Sequence, residues 1–179
     1  MGHTVKTPVS VRGLALLAAL ACPASLATAQ SMSDAANLNA SAPDMLLRGA
    51  AANCLSSPDD LGLAVAALQT AGWEGGEPDD GGLWTFSMDE ATAYLNIQAG
   101  FCAVESSVLG FDDAIAVASD LVTLKAGGTA ELSEDEEGCL YASSDAAPDD
   151  YIAITTGGND PMCAEQPDGG VTLTVLDEG

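Results

Sequence analysis

The stretch Ala91–Leu109 (ATAYLNIQAGFCAVESSVL) constrains the fold more than any other part of the chain. Ala93, Leu95 and Ile97 alternate with Thr92, Tyr94, Asn96 and Gln98, the period-two pattern of a half-buried strand. Ala99-Gly100 breaks the run, and Cys102, Val104, Ser106 and Val108 begin a second alternation, so the segment predicts a β-hairpin. Paired strands with helix-like stretches on either side predict an α+β fold, an antiparallel sheet with its helices packed on one face.

The helices are marked by their ends. Ser41-Ala-Pro-Asp44 places a capping serine, an early proline and an acid ahead of a short helix that ends near Leu55. Ser57-Pro58-Asp59-Asp60 repeats the signal, and Leu61, Ala64, Val65 and Leu68 then fall on one apolar face, with Gly72 placed to cap the end. Asp112 opens a third helix in which Ala114, Val117, Ala118, Leu121 and Leu124 share a face, stopped by Gly127-Gly128. Residues 83–87, 139–143, 151–155 and 171–175 read as strands. Residues 129–138 read as an acidic loop with a strand at its start, and 145–150 and 157–170 read as loops rich in Gly, Pro and Asp.

Set side by side, two halves, 43–109 and 110–179, share an order: capped helix, acidic loop bounded by glycine, aromatic strand, strand opening near a tyrosine, cysteine. Trp84-Thr-Phe answers Leu140-Tyr, Tyr94-Leu-Asn-Ile answers Tyr151-Ile-Ala-Ile, and Gly100-Phe-Cys102 answers Pro161-Met-Cys163. That rhythm predicts a tandem α-β-β-β duplication.

The N-terminus reads as a secretory signal peptide over residues 1–29. Lys6 and Arg12 precede an apolar core from Gly13 to Ala21, and Ala27, Thr28 and Ala29 supply an A-x-A cleavage site. The core is far shorter than the roughly 20 residues needed to span a bilayer. Cys22 suggests a lipoprotein signal, but Ala19 and Pro23 depart from that pattern. The expected destination is the periplasm or the medium. Residues 30–42, small and polar, read as a flexible leader to one acidic domain, 43–179.

Of the five cysteines, Cys22 leaves with the leader; the remaining four suit two disulfides in an exported protein. Several pairings satisfy that count. Cys139 and Cys163 lie in one half, which leaves Cys54 beside the first helix to join Cys102 on the hairpin.

Charge excludes more partners than it selects. The chain carries 27 acidic and four basic residues, and cleavage leaves only Arg48 and Lys125 as cations. Nucleic acid and anionic membranes repel such a surface. Basic protein partners and cations remain, alongside plain solubility.

Little chemistry is on offer. The only histidine, His3, lies in the signal, so Ser-His and Cys-His nucleophiles are excluded from the exported domain. Lys125 suits a helix C-terminus. A carboxylate-based hydrolase needs two acids converging in a cleft, and the chain's aromatics sit where a core would use them. Calcium takes carboxylate oxygens. Two acidic loops offer them: 74–80, with Glu74, Glu77, Asp79 and Asp80, and 131–137, with Glu134, Asp135 and Glu137. Neither matches the calcium-loop pattern of alternating acids closed by a glutamate. The sequence therefore points first to an exported, non-catalytic binding or accessory domain that meets a basic partner. Calcium binding through the two loops is the alternative, and hydrolysis by paired carboxylates a more distant third.

Overall fold

The structure, a computed structural model, describes residues 31–157, Cys163 and residues 170–177. The predicted signal peptide lies outside the described residues. Among the described residues four α-helices, α1 (Met32–Ala35), α2 (Pro43–Ser56), α3 (Leu61–Ala71) and α4 (Phe111–Ala126), and a short 3-10 helix (Pro58–Asp60) accompany eight strands. These are β1 (Glu74–Gly75), β2 (Leu83–Met88), β3 (Ala91–Asn96), β4 (Phe101–Ser106), β5 (Ala130–Glu134), β6 (Leu140–Ser144), β7 (Ala147–Thr156) and β8 (Val171–Asp177). All pairings are antiparallel, in the order β1-β2-β3-β4-β8-β7-β6-β5.

Period-two alternation sorts the sheet into a dry and a wet face. Phe86, Leu95, Cys102, Val104, Leu173, Ile152, Ile154 and Ala142 point to the helices and are buried. There they meet Leu46, Leu47 and Leu55 of α2, Leu68 of α3, and Leu121 and Val122 of α4. One-sided coverage is the usual solution for an antiparallel sheet whose strands alternate. The predicted α+β class is what the chain adopts.

Both disulfides form as expected. Cys54–Cys102 ties α2 to β4, with Cα atoms 6.2 Å apart, and Cys139–Cys163 closes the second half, with Cα atoms 4.2 Å apart.

The strand order reads the same from either edge, because each half is a helix followed by a four-strand meander and the two last strands pair at the centre. The first connections of the two meanders match in detail. Asp79 Oδ1 accepts hydrogen bonds from the backbone N–H groups of Gly81 and Leu83 (2.8 and 2.9 Å). Asp135 Oδ1 accepts from Glu137 and Cys139 (both 2.9 Å), the same offsets. In each turn the glycine three residues on, Gly82 (φ 78°) or Gly138 (φ 83°), takes the left-handed conformation that other residues resist. Two-residue turns follow in both halves, Asp89-Glu90 and Asp145-Ala146.

The duplication differs from the expected one in three ways. Each half holds a fourth strand, β1 or β5. Register pairs Thr85 with Tyr94 and Tyr141 with Ala153, so Tyr94 corresponds to Ala153, and Tyr151 to Thr92. The counterpart of β4 is β8, so Cys163 is not the equivalent of Cys102.

Two predicted loops are structured. Residues 147–150 extend β7. The stretch 31–42, expected to be a flexible leader, packs against α2: Ala35 and Leu38 are buried. Asn53 Nδ2 donates to Ala36 O (3.2 Å) and Trp73 Nε1 to Leu38 O (3.1 Å). Gly49 is where α2 and this segment touch; a Cβ there would collide with the Asn37 carbonyl. The absent Cβ of Gly49 allows that close approach, which local sequence signals in a small, polar stretch do not reveal.

Candidate functional site

The face of the sheet turned away from the helices carries the residues that alternation does not bury. Its central row runs Thr85, Tyr94, Ala103, Thr174, Ala153, Tyr141, Ser133, each paired with the next across neighbouring strands. A second row runs Ser87, Thr92, Glu105, Thr172, Thr155. The floor at the seam is recessed: Ala103 is 3 % exposed, Ala153 7 % and Thr172 9 %. Larger side chains flank it. Tyr94 donates to Glu105 Oε2 (3.2 Å), and its phenol pKa is raised by partial burial and by that carboxylate.

On the other flank lies a cleft of about 310 Å³ lined by Ser133, Asp135, Tyr141, Ser143, Pro148 and Tyr151. The two tyrosine rings meet edge to face, centroids 5.5 Å apart at 74°. Tyr141 donates its phenol proton to Asp135 Oδ2 at 2.7 Å. That hydrogen bond pushes the phenol pKa up to about 12. The same bond, with backbone N–H groups of the turn, holds the Asp135 carboxyl below its ordinary value. Asp135 is thus an ionised carboxylate at the mouth of an aromatic cleft.

No cation of the described residues serves this face. Lys125 Nζ of α4 lies 3.2 Å from Asp150 of β7, and Arg48 Nη1 of α2 lies 3.6 Å from Asp120 of α4, so both cations belong to the helix layer.

The structure places the sequence-predicted cation ligands apart. The stretches expected as acidic loops are partly strand: Glu74 lies in β1 and residues 131–134 in β5, and the connections β1–β2 (76–82) and β5–β6 (135–139) stand at opposite edges and opposite ends of the eight-strand sheet. At about 4.8 Å per strand the edges stand some 34 Å apart, so the loops do not share an ion. Within each loop Asp79 and Asp135 spend one oxygen on the turn. Glu74 joins Asp89 in a cleft of about 280 Å³, and Glu134 joins Asp112 in one of about 250 Å³ beside Cys163. Glu77, Asp80 and Glu137 are exposed. Among the described residues no three carboxylates or cysteines gather as a metal would require. Sequence patterning assigns Tyr141 to the core and gives Tyr151 no role; the signal for both is their alternation with Leu140 and Ala142 on β6 and with Ile152 and Ile154 on β7.

Compared with protein families, curated proteins and solved structures, the chain matches no family model, no curated protein and no solved structure. Among the described residues no helix is long and apolar enough to cross a membrane.

Proposed function

We propose that this protein is an exported, non-catalytic binding domain that receives a basic protein partner on the open face of its sheet. The observation that carries the reading is a recessed sheet face that no helix of the described residues covers, bearing Glu105, Glu131 and Asp135, while the cations of the described residues are engaged on the helix side. Complementary charge steers such partners together and makes association fast and salt-sensitive. Two disulfides fit an oxidising compartment, and the predicted signal peptide supplies the route.

Charge reversal tests the face. Glu105→Lys with Glu131→Lys is expected to abolish low-salt capture of the basic partner from the host's exported fraction. Asp59→Lys with Asp112→Lys, outside the open face, is expected to leave capture intact. Equal losses in both pairs would mean that net charge, and not this face, holds the partner.

A further inference from the structure

We infer that the Tyr141–Tyr151 cleft is the anchor point of this face, a pocket that accepts one arginine side chain of the basic partner; the inference rests on the binding function proposed above. Two rings at 74° offer a cation one π-face as a wall and one edge as a stop, and ring faces attract cations. Asp135 supplies the counter-charge. Its Oδ1 accepts from Glu137 and Cys139 and its Oδ2 from the Tyr141 phenol, and a carboxylate oxygen with two lone pairs has room for a further donor. The hydroxyls of Ser133 and Ser143 add acceptors around the same cleft, and Pro148 gives it a rigid side. Glu131 stands beside Ser143 in the register and adds to the negative field.

Guanidinium fits this set better than ammonium. It is flat enough to stack on a ring while its edge donates in-plane to a carboxylate and hydroxyls. The internal duplication provides the comparison that separates scaffold from site. The positions equivalent to Tyr141 and Tyr151 in the first half are Thr85 and Thr92. The turn and the strands form there with threonine at both positions, so the tyrosine pair is not a requirement of the sheet.

The test is an NMR titration of the folded domain, reading the tyrosine ring resonances. The probes are short glycine peptides carrying one arginine, one lysine or one citrulline. Arginine is expected to shift the Tyr141 and Tyr151 rings saturably, lysine more weakly, and the neutral isostere citrulline not at all. Tyr151→Leu is expected to weaken arginine binding about fivefold, and Tyr151→Phe, which keeps the ring and guards against a folding artefact, to restore it. Arginine and citrulline shifting the rings alike, or arginine binding untouched by Tyr151→Leu, would overturn the pocket. An oligo-arginine peptide separates this failure from the broader one. If it binds wild type and Tyr151→Leu equally, with strong salt dependence, the acidic face stands and the cleft falls. If it binds neither, both fall.

Discussion

Tyr141 keeps its proton because a carboxylate beneath it needs a donor. The pair therefore reports on itself at both ends of the pH scale. The phenol pKa is raised from 10.0 to about 12, so its contribution to stability is complete below the unfolded value and is lost as pH climbs through the folded one. The Asp135 pKa is lowered from 3.8, so its contribution is present above that value and is lost as pH falls through the depressed one. In a spectrophotometric alkaline titration Tyr141→Phe is expected to remove the step near pH 12; a high step that survives the substitution would place that phenol elsewhere. Acidic residues at 131–137 were legible in the sequence, but not their task. Asp135 looks like a cation ligand until the turn is built, and then backbone N–H groups and a phenol occupy it. Asp135→Ala is accordingly expected to lower Tm more than Asp135→Asn, which keeps an oxygen for the turn. Calcium is expected to raise Tm no more than sodium chloride does at matched ionic strength; a calcium-specific rise would reinstate the loops as a cation site.

At the scale of elements, the helices and the central strands were readable because their signals are local. The period of Leu61, Ala64, Val65 and Leu68 and the glycine at 72 mark α3, and Gly72 does adopt the left-handed cap (φ 84°). The disulfide partners followed from which halves the cysteines occupy. What the sequence withheld depends on contacts distant along the chain. The segment 31–42 is ordered by Gly49, Asn53 and Trp73, and residues 147–150 enter β7 at two points, Ala147 opposite Ser144 of β6 and Asp150 opposite Asp177 of β8. Cross-link strength can be ranked in the same terms. Cys54–Cys102 spans 48 residues and Cys139–Cys163 spans 24. Chain entropy then assigns about 4 kcal/mol to the first and about 3.5 kcal/mol to the second. Urea unfolding of the two paired Cys→Ala variants is expected to show that order; a reversed order would mean that strand and helix contacts, and not loop closure, set the contributions.

At the scale of the molecule, two meanders share one sheet through β4 and β8, and among the described residues all helices pack on one face of it. Leu173 sits on that seam, fully buried beside Val104. Leu173→Ala is expected to cost about 2–5 kcal/mol and to destabilise both halves together. Both tryptophans, Trp73 and Trp84, lie in the first half, so their fluorescence reads that half while far-ultraviolet circular dichroism reads both. Coincident transitions are expected; a separate fluorescence midpoint would show halves that unfold independently. The alternation of threonine with apolar residues in β8 announced a polar face. Its recession, and the tyrosine pair at its flank, emerge only when register aligns seven strands.

The central claim is that the acidic open face receives a basic partner. The most direct measurement is zero-length carbodiimide coupling of the protein's carboxylates to partner lysines in the host's exported fraction, with the coupled residues mapped by mass spectrometry. One basic partner is expected, joined at Glu105, Glu131 or Asp135 and lost when salt is raised before coupling. Coupling confined to helix-side carboxylates such as Asp112 and Asp113, or spread over many proteins without preference, would contradict that claim.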